Sequence, residues 1–291
     1  MQKDQYLTTM SRFINPFTDV GFKRIFGQEI NKDLLIDFLN SLFAGEKHVT
    51  DIRFLDKELL GETVEDRNCI YDIYCTNEDG EEFIVEMQNR GQKNFRERAL
   101  FYLSRAIVRQ GEKGIGWDFD IKAVYGIFFM NFRMKGMCDK LRTDIVLAER
   151  DTHAVFIDKM RFVFLQLPSF TKEEHECETD FERWIYVLKH METLQRLPFK
   201  ARKAVFKKLE EITDIASLSK EERMKYDESI KVYRDNLVTR NYDIEEGMEK
   251  GVEIGRKQAK SETARNMKAD GLPVDFIVKY TGLTAEEIEA L

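Results

Sequence analysis

Apolar residues recur every three or four positions near the start of the chain, which is the spacing of one helix face. The run KDLLIDFLNSLF shows this spacing most clearly, and it follows Asn31, a residue type that caps helices. Just upstream, residues 13–26 (FINPFTDVGFKRIF) are rich in aromatic side chains. Pro16 and Thr18 suit the start of a helix there, and Gly27 suits its end. The pattern therefore predicts two consecutive helices.

Between Ile52 and Gln88 the apolar period changes to two, which is typical of β-strands. Two strand-like runs, CIYDIYCT and EFIVEMQ, flank the turn sequence NEDG. A helix from Phe95 to Gln110 is predicted next. Three further runs rich in β-branched and aromatic residues then follow as predicted strands: AVYGIFFMNF, RTDIVLAE and MRFVFLQL.

After Pro168 the helical spacing returns in three successive segments, FERWIYVLKHMETLQRL, FKARKAVFKKLEEI and KEERMKYDESIKVYRDNLV. The last fifty residues add a polar helix around GMEKGVEIGRKQAK and the segment GLPVDFIVKYTGLTAEEIEAL. Helices, then strands with one interposed helix, then helices again describe a mixed α/β domain with a helical C-terminal extension.

The register of the predicted hairpin decides whether Asp72 shares a face with Glu86 and Gln88. The latter two point the same way because they are two residues apart in a strand. A two-residue turn would place Asp72 opposite Met87, whereas a three-residue loop ending at Gly80 would place it opposite Glu86. That loop needs a residue at positive φ in its last position, which glycine adopts at little cost. The position of Gly80 therefore favours the register that brings the carboxylates together.

Two carboxylates opposite each other in a sheet repel unless something neutralises them. Oxygen ligands from Asp72 and Glu86 suit a hard cation such as Mg²⁺, which can polarise a phosphodiester and lower the pKa of an attacking water. The alternative is a solvated hairpin with acidic residues on its outer face. Apolar neighbours on both faces, such as Phe83, Ile84 and Val85, favour a sheet covered on both sides. Buried carboxylates need partners, so this context favours the metal site.

The composition allows one large domain with an appendage. Among the 291 residues, 43% are hydrophobic and 22 are Phe, which is not the composition of a disordered chain. The formal net charge is −7, which argues against indiscriminate nucleic-acid binding but permits a local basic groove. We expect no membrane partner, because no apolar run is long enough to span one and no apolar signal segment is apparent. Four widely spaced cysteines argue against a disulfide framework or zinc knuckle and fit a cytoplasmic location.

The ordered set of motifs resembles a known family. The segments NPFTDVGFKRIFG, NKDLLIDFLNSLF, IYDIYCTNEDGEEFIVEMQ and FRERALFYLSR are similar to the PD-(D/E)XK nuclease superfamily. Within it, they most resemble the family of recombination-promoting nucleases and transposases. The resemblance covers residues 13–240 and implies a restriction-endonuclease-like α/β core, with a central mixed sheet flanked by helices. It also implies a DNA endonuclease that uses Mg²⁺, with Mn²⁺ as a substitute. Residues 241–291 then form a helical linker and a small helical appendage.

The same resemblance assigns roles to the hairpin residues. Asp72 matches the motif aspartate and Glu86 the second metal-binding acid, and the backbone carbonyl of Met87 completes the coordination. Gln88 stands where the wider superfamily has lysine. Glutamine donates and accepts hydrogen bonds but brings no charge to orient the water or offset developing negative charge. Asp72, Glu86 and Gln88 are thus the expected catalytic residues, and a catalytically silent DNA- or protein-binding module is the alternative function.

The segment after the hairpin is locally basic. From Glu86 to Lys113 it has seven basic and three acidic residues, a charge of +4, which suits a phosphate backbone. An ordinary solvated helix face is the alternative. We predict that Arg98, one turn from Tyr102, is the main phosphate contact. The other candidate nucleic-acid contacts are Arg96, Arg105 and Lys23. Asp19 is spaced to pair with Lys23 on the first helix, which the resemblance places near the site; a simple surface ion pair is the alternative.

The C-terminal region has two notable patterns. Gly247, Gly251 and Gly255 recur every four residues, although each costs a helix about 1 kcal/mol relative to alanine. Close approach of helices, including those of two protomers in a homo-oligomer, is one interpretation, and a flexible linker is the slightly favoured one. Downstream, Pro273 and Gly282 suit the start and the end of a helix, before a capping box that begins at Thr284. We interpret this end as a docking or oligomerisation element rather than a DNA-reading helix-turn-helix.

Overall fold

The computed structural model describes residues 11–59, 69–111, 118–199 and 203–291. Parts of the predicted strand region (60–68), the end of the basic segment (112–113) and three residues of a predicted helix (200–202) lie outside the described residues. The chain divides into two compact units, Met1–Tyr233 and Arg234–Leu291.

The first unit is built on a mixed six-stranded sheet. Its strands, in chain order, are β1 (Ile52–Phe54), β4 (Ile73–Asn77), β5 (Glu82–Gln88), β6 (Val124–Met130), β7 (Arg142–Ala148) and β8 (Val155–Gln166); β2 (Glu58–Leu59) and β3 (Cys69–Ile70) form a separate small pair. The order across the sheet is β1-β4-β5-β6-β8-β7. β5–β6 and β6–β8 are parallel and the other pairs are antiparallel. The predicted mixed sheet is therefore confirmed.

Helices cover both faces of this sheet. The α-helices are α1 (Asp19–Phe26), α2 (Lys32–Leu42), α3 (Phe95–Arg109), α4 (Asp180–His190), α5 (Ala204–Thr213), α6 (Lys220–Ala269), α7 (Val274–Thr281) and α8 (Ala285–Glu289). On one face, aromatic side chains of α1, α2 and α4 pack around Phe129 of β6. On the other face, α3 packs Leu103 against the sheet beside Ile84 and Phe128. The interior strands β5 and β6 are consequently buried on both sides, as the apolar pattern predicts.

The predicted ends of the first two helices are confirmed, with one difference in chemistry. Thr18 caps α1 through its hydroxyl, which accepts a hydrogen bond from the Gly21 N–H at 3.0 Å, and Gly27 ends the helix. Asn31 precedes α2 as predicted, but its side chain does not cap that helix. Its amide instead donates to the Arg24 carbonyl at 2.9 Å, because the two helices turn back on each other there.

The predicted strand over residues 69–76 is interrupted, which corrects the sequence prediction. Tyr71 and Asp72 lie between β3 and β4 and belong to neither strand. The Tyr71 N–H donates to the Lys57 carbonyl at 2.9 Å, outside the main sheet, so Tyr71 does not continue the β4–β5 ladder. Asp72 nevertheless stays next to β5, where its side chain accepts a hydrogen bond from the Met87 N–H at 2.9 Å.

The flexible-linker interpretation of the three glycines is wrong in this structure. Gly247, Gly251 and Gly255 all lie within the continuous helix α6. A Cβ added at each of them would find no described atom within 4 Å. Close packing against other parts of the chain therefore does not explain why the glycines recur every four residues.

The second unit packs α7 and α8 on the C-terminal part of α6. Its small core consists of Ala264, Ile277, Leu283 and Ile288. The predicted caps are confirmed: Gly282 has φ +68° at the end of α7, and Thr284 forms a reciprocal capping box with Glu287. No described helix is long and apolar enough to cross a membrane.

The hairpin loop provides a first test of the fold. Gly80 has φ +80°, so Gly80→Ala is expected to destabilise the protein by about 1–2 kcal/mol in urea unfolding, since a Cβ is disfavoured there. The matched control is Asp79→Ala, an exposed position in the same loop without a positive φ, which we expect to change stability by less than about 0.5 kcal/mol. Equal changes for the two variants would contradict the assigned loop geometry.

Candidate active site

The hairpin has the register that brings Asp72 to Glu86. Ile73 pairs with Val85, and the same alignment continued by one residue sets Asp72 opposite Glu86. The Asp72 N–H donates to Glu86 Oε1 at 3.0 Å. In return, the Met87 N–H donates to Asp72 Oδ2 at 2.9 Å. The two carboxyl groups therefore lie side by side, each held by a backbone N–H of the other strand segment.

The three-residue loop is fixed by its own hydrogen bonds. Asn77 accepts from the Asp79 and Glu81 N–H groups through its side-chain oxygen, at 3.1 and 2.8 Å. The Gly80 N–H donates to the Asn77 carbonyl at 3.1 Å. These bonds satisfy the loop backbone locally, so the register is set by the turn and transmitted along the ladder to the carboxylates.

Burial makes the charge on this pair costly. Glu86 is 3% exposed. Burial first, and then the neighbouring charge of Asp72, raise the pKa of Glu86 above its ordinary value. Burial also raises the pKa of Asp72, against the hydrogen bond from Met87 and the positive charges of Lys23 and Arg98. Both carboxyl groups therefore favour a proton, or a cation in its place, over the bare charge.

The donor set fits a hard divalent cation. Each carboxyl group uses one oxygen for a backbone N–H, which leaves oxygen atoms for an ion. In a strand, the N–H and C=O of one residue point to the same edge, so the Met87 carbonyl faces the same side as its N–H, toward Asp72. No cluster of three or more His, Cys, Asp or Glu side chains suited to a metal occurs in the described ranges. Two carboxylates and a carbonyl fit Mg²⁺, which keeps several waters and binds phosphate oxygens.

Gln88 lies on the same side of β5 as Glu86 and contacts it directly. Its Nε2 donates to Glu86 Oε2 at 3.3 Å. The Gln88 backbone is anchored as well, because its carbonyl accepts from the Asn131 N–H at 2.9 Å. The side chain is thus oriented toward the carboxylate pair, but it adds no positive charge there.

Helix α1 lies close to the pair, as the resemblance implies. Lys23 Nζ pairs with Asp19 Oδ1 at 2.5 Å, and the charges of both residues act on the pKa of Asp72. Asn89 links the end of β5 to the segment before α1 by a hydrogen bond, which its amide donates to the Phe17 carbonyl at 2.7 Å. Nothing in the spacing singles out Asn89; its position directly after Gln88 is the only signal. Its buried Oδ1 accepts no hydrogen bond from the described residues.

The predicted basic residues of α3 separate into two groups. Arg98 stacks its guanidinium over Phe95 and Tyr102, at 5.4 and 5.6 Å from the ring centroids, and donates to Gln92 Oε1 at 2.6 Å. Its positive charge opposes the rise in the pKa of both site carboxyls. Arg96 instead points to another loop, where it donates to the Lys135 carbonyl at 2.9 Å.

Two more predicted residues belong to the supporting structure. Tyr102 packs edge-on against Tyr71, and its carbonyl accepts from the Tyr71 hydroxyl at 2.9 Å. Arg105 is half-buried and lies about two turns beyond Arg98 on α3. The basic segment therefore reaches the site through Arg98, while Tyr102 steadies the chain just before Asp72.

The chain matches a family of known proteins. A family model described as PD-(D/E)XK nuclease family transposase matches residues 16–242. The matched part contains the hairpin, α1 and α3, and so all of the candidate site residues. Neither the curated proteins nor the solved structures contain a match.

The raised pKa values predict how stability depends on pH. A group whose folded-state pKa is raised contributes stability below its unfolded pKa, near 4.3 for Glu, and loses it as the pH rises through the folded value. In a chelator, the wild-type protein should therefore lose stability between pH 5 and 8. Glu86→Gln should lose less and become the more stable of the two at pH 8. A stability difference of 1 kcal/mol between the two proteins corresponds to about 2–4 °C in melting temperature for a unit of this size.

The control is Glu228→Gln, which removes an exposed carboxylate from α6 and should follow the wild-type pH profile. Added Mg²⁺ should raise the wild-type melting temperature more at pH 8 than at pH 6, because the ion must displace a proton. Parallel pH profiles for the wild type and Glu86→Gln would contradict the assigned electrostatics.

Proposed function

This chain belongs to the PD-(D/E)XK nuclease family transposases, and from that premise we propose that it is a Mg²⁺-dependent DNA endonuclease. The observation that carries the proposal is the carboxylate pair of half-buried Asp72 and buried Glu86, which lacks an ion-pair partner among the described residues and has oxygen atoms left for an ion. A solvated hairpin, the alternative reading of the sequence, would not bury Glu86.

Asp72, Glu86 and the Met87 carbonyl would hold the ion. When bound, Mg²⁺ supplies a Lewis acid for the phosphodiester and lowers the pKa of the attacking water. The protein itself would hold the two carboxylates opposite each other, keep bulk water away from Glu86 and orient Gln88. Mn²⁺, which also prefers oxygen ligands, is the expected substitute.

Gln88 is proposed to position the water or the scissile phosphate. Its Nε2 already donates to Glu86, so its Oε1 is the atom available to accept a hydrogen bond from a water. Arg98 is proposed to hold the phosphate backbone beside the pair, since its guanidinium is preorganised by two aromatic rings and by Gln92. Lys23 is the corresponding contact on α1, whereas Arg96 and Arg105 lie farther along the DNA path.

The alternative function is a catalytically silent DNA- or protein-binding module. The observation that favours it is the neutral side chain of Gln88, because a positively charged group at that position would offset charge in the transition state. The intact carboxylate pair favours catalysis. Participation in recombination or transposition follows from family membership and is part of the proposal, and the cytoplasmic location stays a prediction from the cysteines.

Plasmid cleavage tests the proposed catalysis. With Mg²⁺, the wild-type protein should nick or linearise supercoiled DNA, and Asp72→Asn and Glu86→Gln should each lower the rate by at least about 100-fold, the range expected when a main electrostatic contribution to the transition state is lost. Gln88→Ala should lower it by about 10-fold or more, and Gln88→Lys should retain or increase activity.

Glu228→Gln, on an exposed surface, should cleave at the wild-type rate. Equal cleavage by the wild type, Asp72→Asn and Glu86→Gln would reveal a contaminating nuclease and overturn the assignment. DNA binding without metal-dependent cleavage by pure protein would favour the silent module.

A homo-oligomer through the C-terminal helices is also proposed. Ile244, Met248 and Val252 form a stripe along one face of α6 and are 52%, 66% and 54% exposed. Gly247 and Gly251 lie next to this stripe with open space above them, which would let a second helix approach closely. Apolar side chains and small residues on one helix face are the pattern of a helix–helix contact.

Light scattering tests the oligomer. Met248→Glu/Val252→Glu should reduce the molar mass of the wild-type assembly to that of a single chain at micromolar concentration. The matched control is Val155→Glu/Phe156→Glu, two exposed apolar positions on β8, which should leave the mass unchanged. A single-chain mass for the wild-type protein, or dissociation by the control pair, would refute an interface on this face of α6.

A further inference from the structure

A basic cleft lies directly beyond Gln88, and we call it the α3 cleft. It has a volume of about 510 Å³, and its lining comes from the loop after β5, the first turn of α3 and the loop after β6. The residues that matter below are Lys93, Phe95, Arg96, Phe132, Arg133 and Lys135. Because β5 and β6 are parallel neighbours, both loops leave the same edge of the sheet, where α/β folds bind their ligands.

The wall of the cleft is held in place by a buried side chain. Gln166 of β8 is 1% exposed. Its Oε1 accepts from the Met134 N–H at 2.8 Å, and its Nε2 donates to the Cys138 carbonyl at 2.7 Å. Arg133 adds an ion pair with Asp139 at 2.9 Å. The loop after β6 is therefore a fixed wall rather than an adaptable surface segment.

The chemistry of the cleft combines positive charge with an aromatic ring. Four cationic side chains line it against one acidic side chain, Glu97. Within the described ranges, Lys93 and Lys135 have no ion-pair partner, so their ammonium groups remain free for a ligand. Phe132 is half-buried and packs edge-on against Phe95 at 6.1 Å between centroids. Cations track a phosphate backbone, and an aromatic ring stacks on a base that is not stacked in a duplex.

The cleft is also joined to the carboxylate site. The Asn131 N–H, one residue before Phe132, donates to the Gln88 carbonyl at 2.9 Å. Gln92 lines the cleft and accepts from Arg98, whose charge acts on both site carboxyls. Gln92 lies only four positions after Gln88 in the chain, a span of at most about 14 Å. A DNA strand crossing the site would reach the cleft within about four nucleotide steps.

We propose that the α3 cleft binds an unpaired nucleotide of the DNA substrate, so that the enzyme prefers DNA with a single-stranded arm next to the cleavage position. The identity of the ligand as DNA rests on the proposed function. The base stacks on Phe132, while Lys93 and Lys135 contact the flanking phosphates. In the interior of a duplex both faces of each base are covered by its neighbours, so a base paired there cannot stack on the ring.

Fluorescence anisotropy in a chelator tests this proposal without any cleavage. The probes are a labelled forked duplex with an unpaired DNA arm and a blunt duplex of the same length. The wild-type protein should bind the fork about 10-fold more tightly, the range of one base–aromatic stack together with phosphate contacts. Phe132→Leu, which keeps an apolar side chain against Phe95, should lose most of that preference while changing blunt-duplex affinity less than about 2-fold.

Charge variants give a second, independent readout. Lys93→Gln/Lys135→Gln should weaken fork binding and reduce the slope of log affinity against log salt by about 1.4, since each phosphate contact on single strands contributes about 0.7. The matched control, Lys207→Gln/Lys220→Gln, removes two exposed lysines outside the cleft and should keep the fork preference. Thermal unfolding of each variant verifies that it is folded.

The outcomes separate this proposal from the proposed function. Equal wild-type affinity for the fork and the blunt duplex, or an unchanged preference in both cleft variants, overturns the α3 cleft assignment even if the protein cleaves DNA. An RNA arm bound at least as tightly as the DNA arm overturns the choice of DNA. A fork preference that depends on Phe132 and the two lysines supports the cleft, and it does so even if metal-dependent cleavage fails.

Discussion

Asp72 and Glu86 share a buried corner at the end of the hairpin, and their mutual repulsion has to be offset by groups from several parts of the fold. The hairpin supplies two backbone N–H donors across the break in the strand. α1 and α3 contribute Lys23 and Arg98, whose charges act on the pair. The two helices sit on the sheet where apolar packing holds them, so the electrostatics of the site depends on a core buried on both faces.

The sequence predicts the features that short-range chemistry determines. Gly80 specifies a three-residue loop because that loop needs positive φ, and the loop then sets Asp72 opposite Glu86. Thr18 and Gly27 likewise mark both ends of α1. The order of strands and helices follows from the change between period two and helical spacing. In each case the signal lies within a few residues of the element that it specifies.

Features that depend on distant partners are not predictable in this way. The interruption at Tyr71 arises because Lys57, fourteen residues earlier, provides a carbonyl outside the main sheet. Arg96 and Arg98 are indistinguishable in a charge count, yet Arg98 lies against aromatic rings and its charge acts on the carboxylates, while the loop after β6 holds Arg96. The glycine pattern of α6 indicates a linker by propensity, but the surrounding residues favour helix strongly enough to continue it.

Gln88 changes how the carboxylate pair is neutralised. A lysine at this position would contact Glu86 and help to keep the pair ionised without a metal. The glutamine amide gives Glu86 a hydrogen bond but no charge, so a proton and a cation compete for the same oxygen atoms. The positive charge that remains near the pair comes from Lys23 and Arg98, on two helices that also face the incoming DNA in the proposed complex. Under the proposed function, a substrate phosphate would draw on the same two cations and weaken their effect on the carboxylates, which would leave a metal ion or a proton, rather than a side chain, to neutralise the pair while DNA is bound.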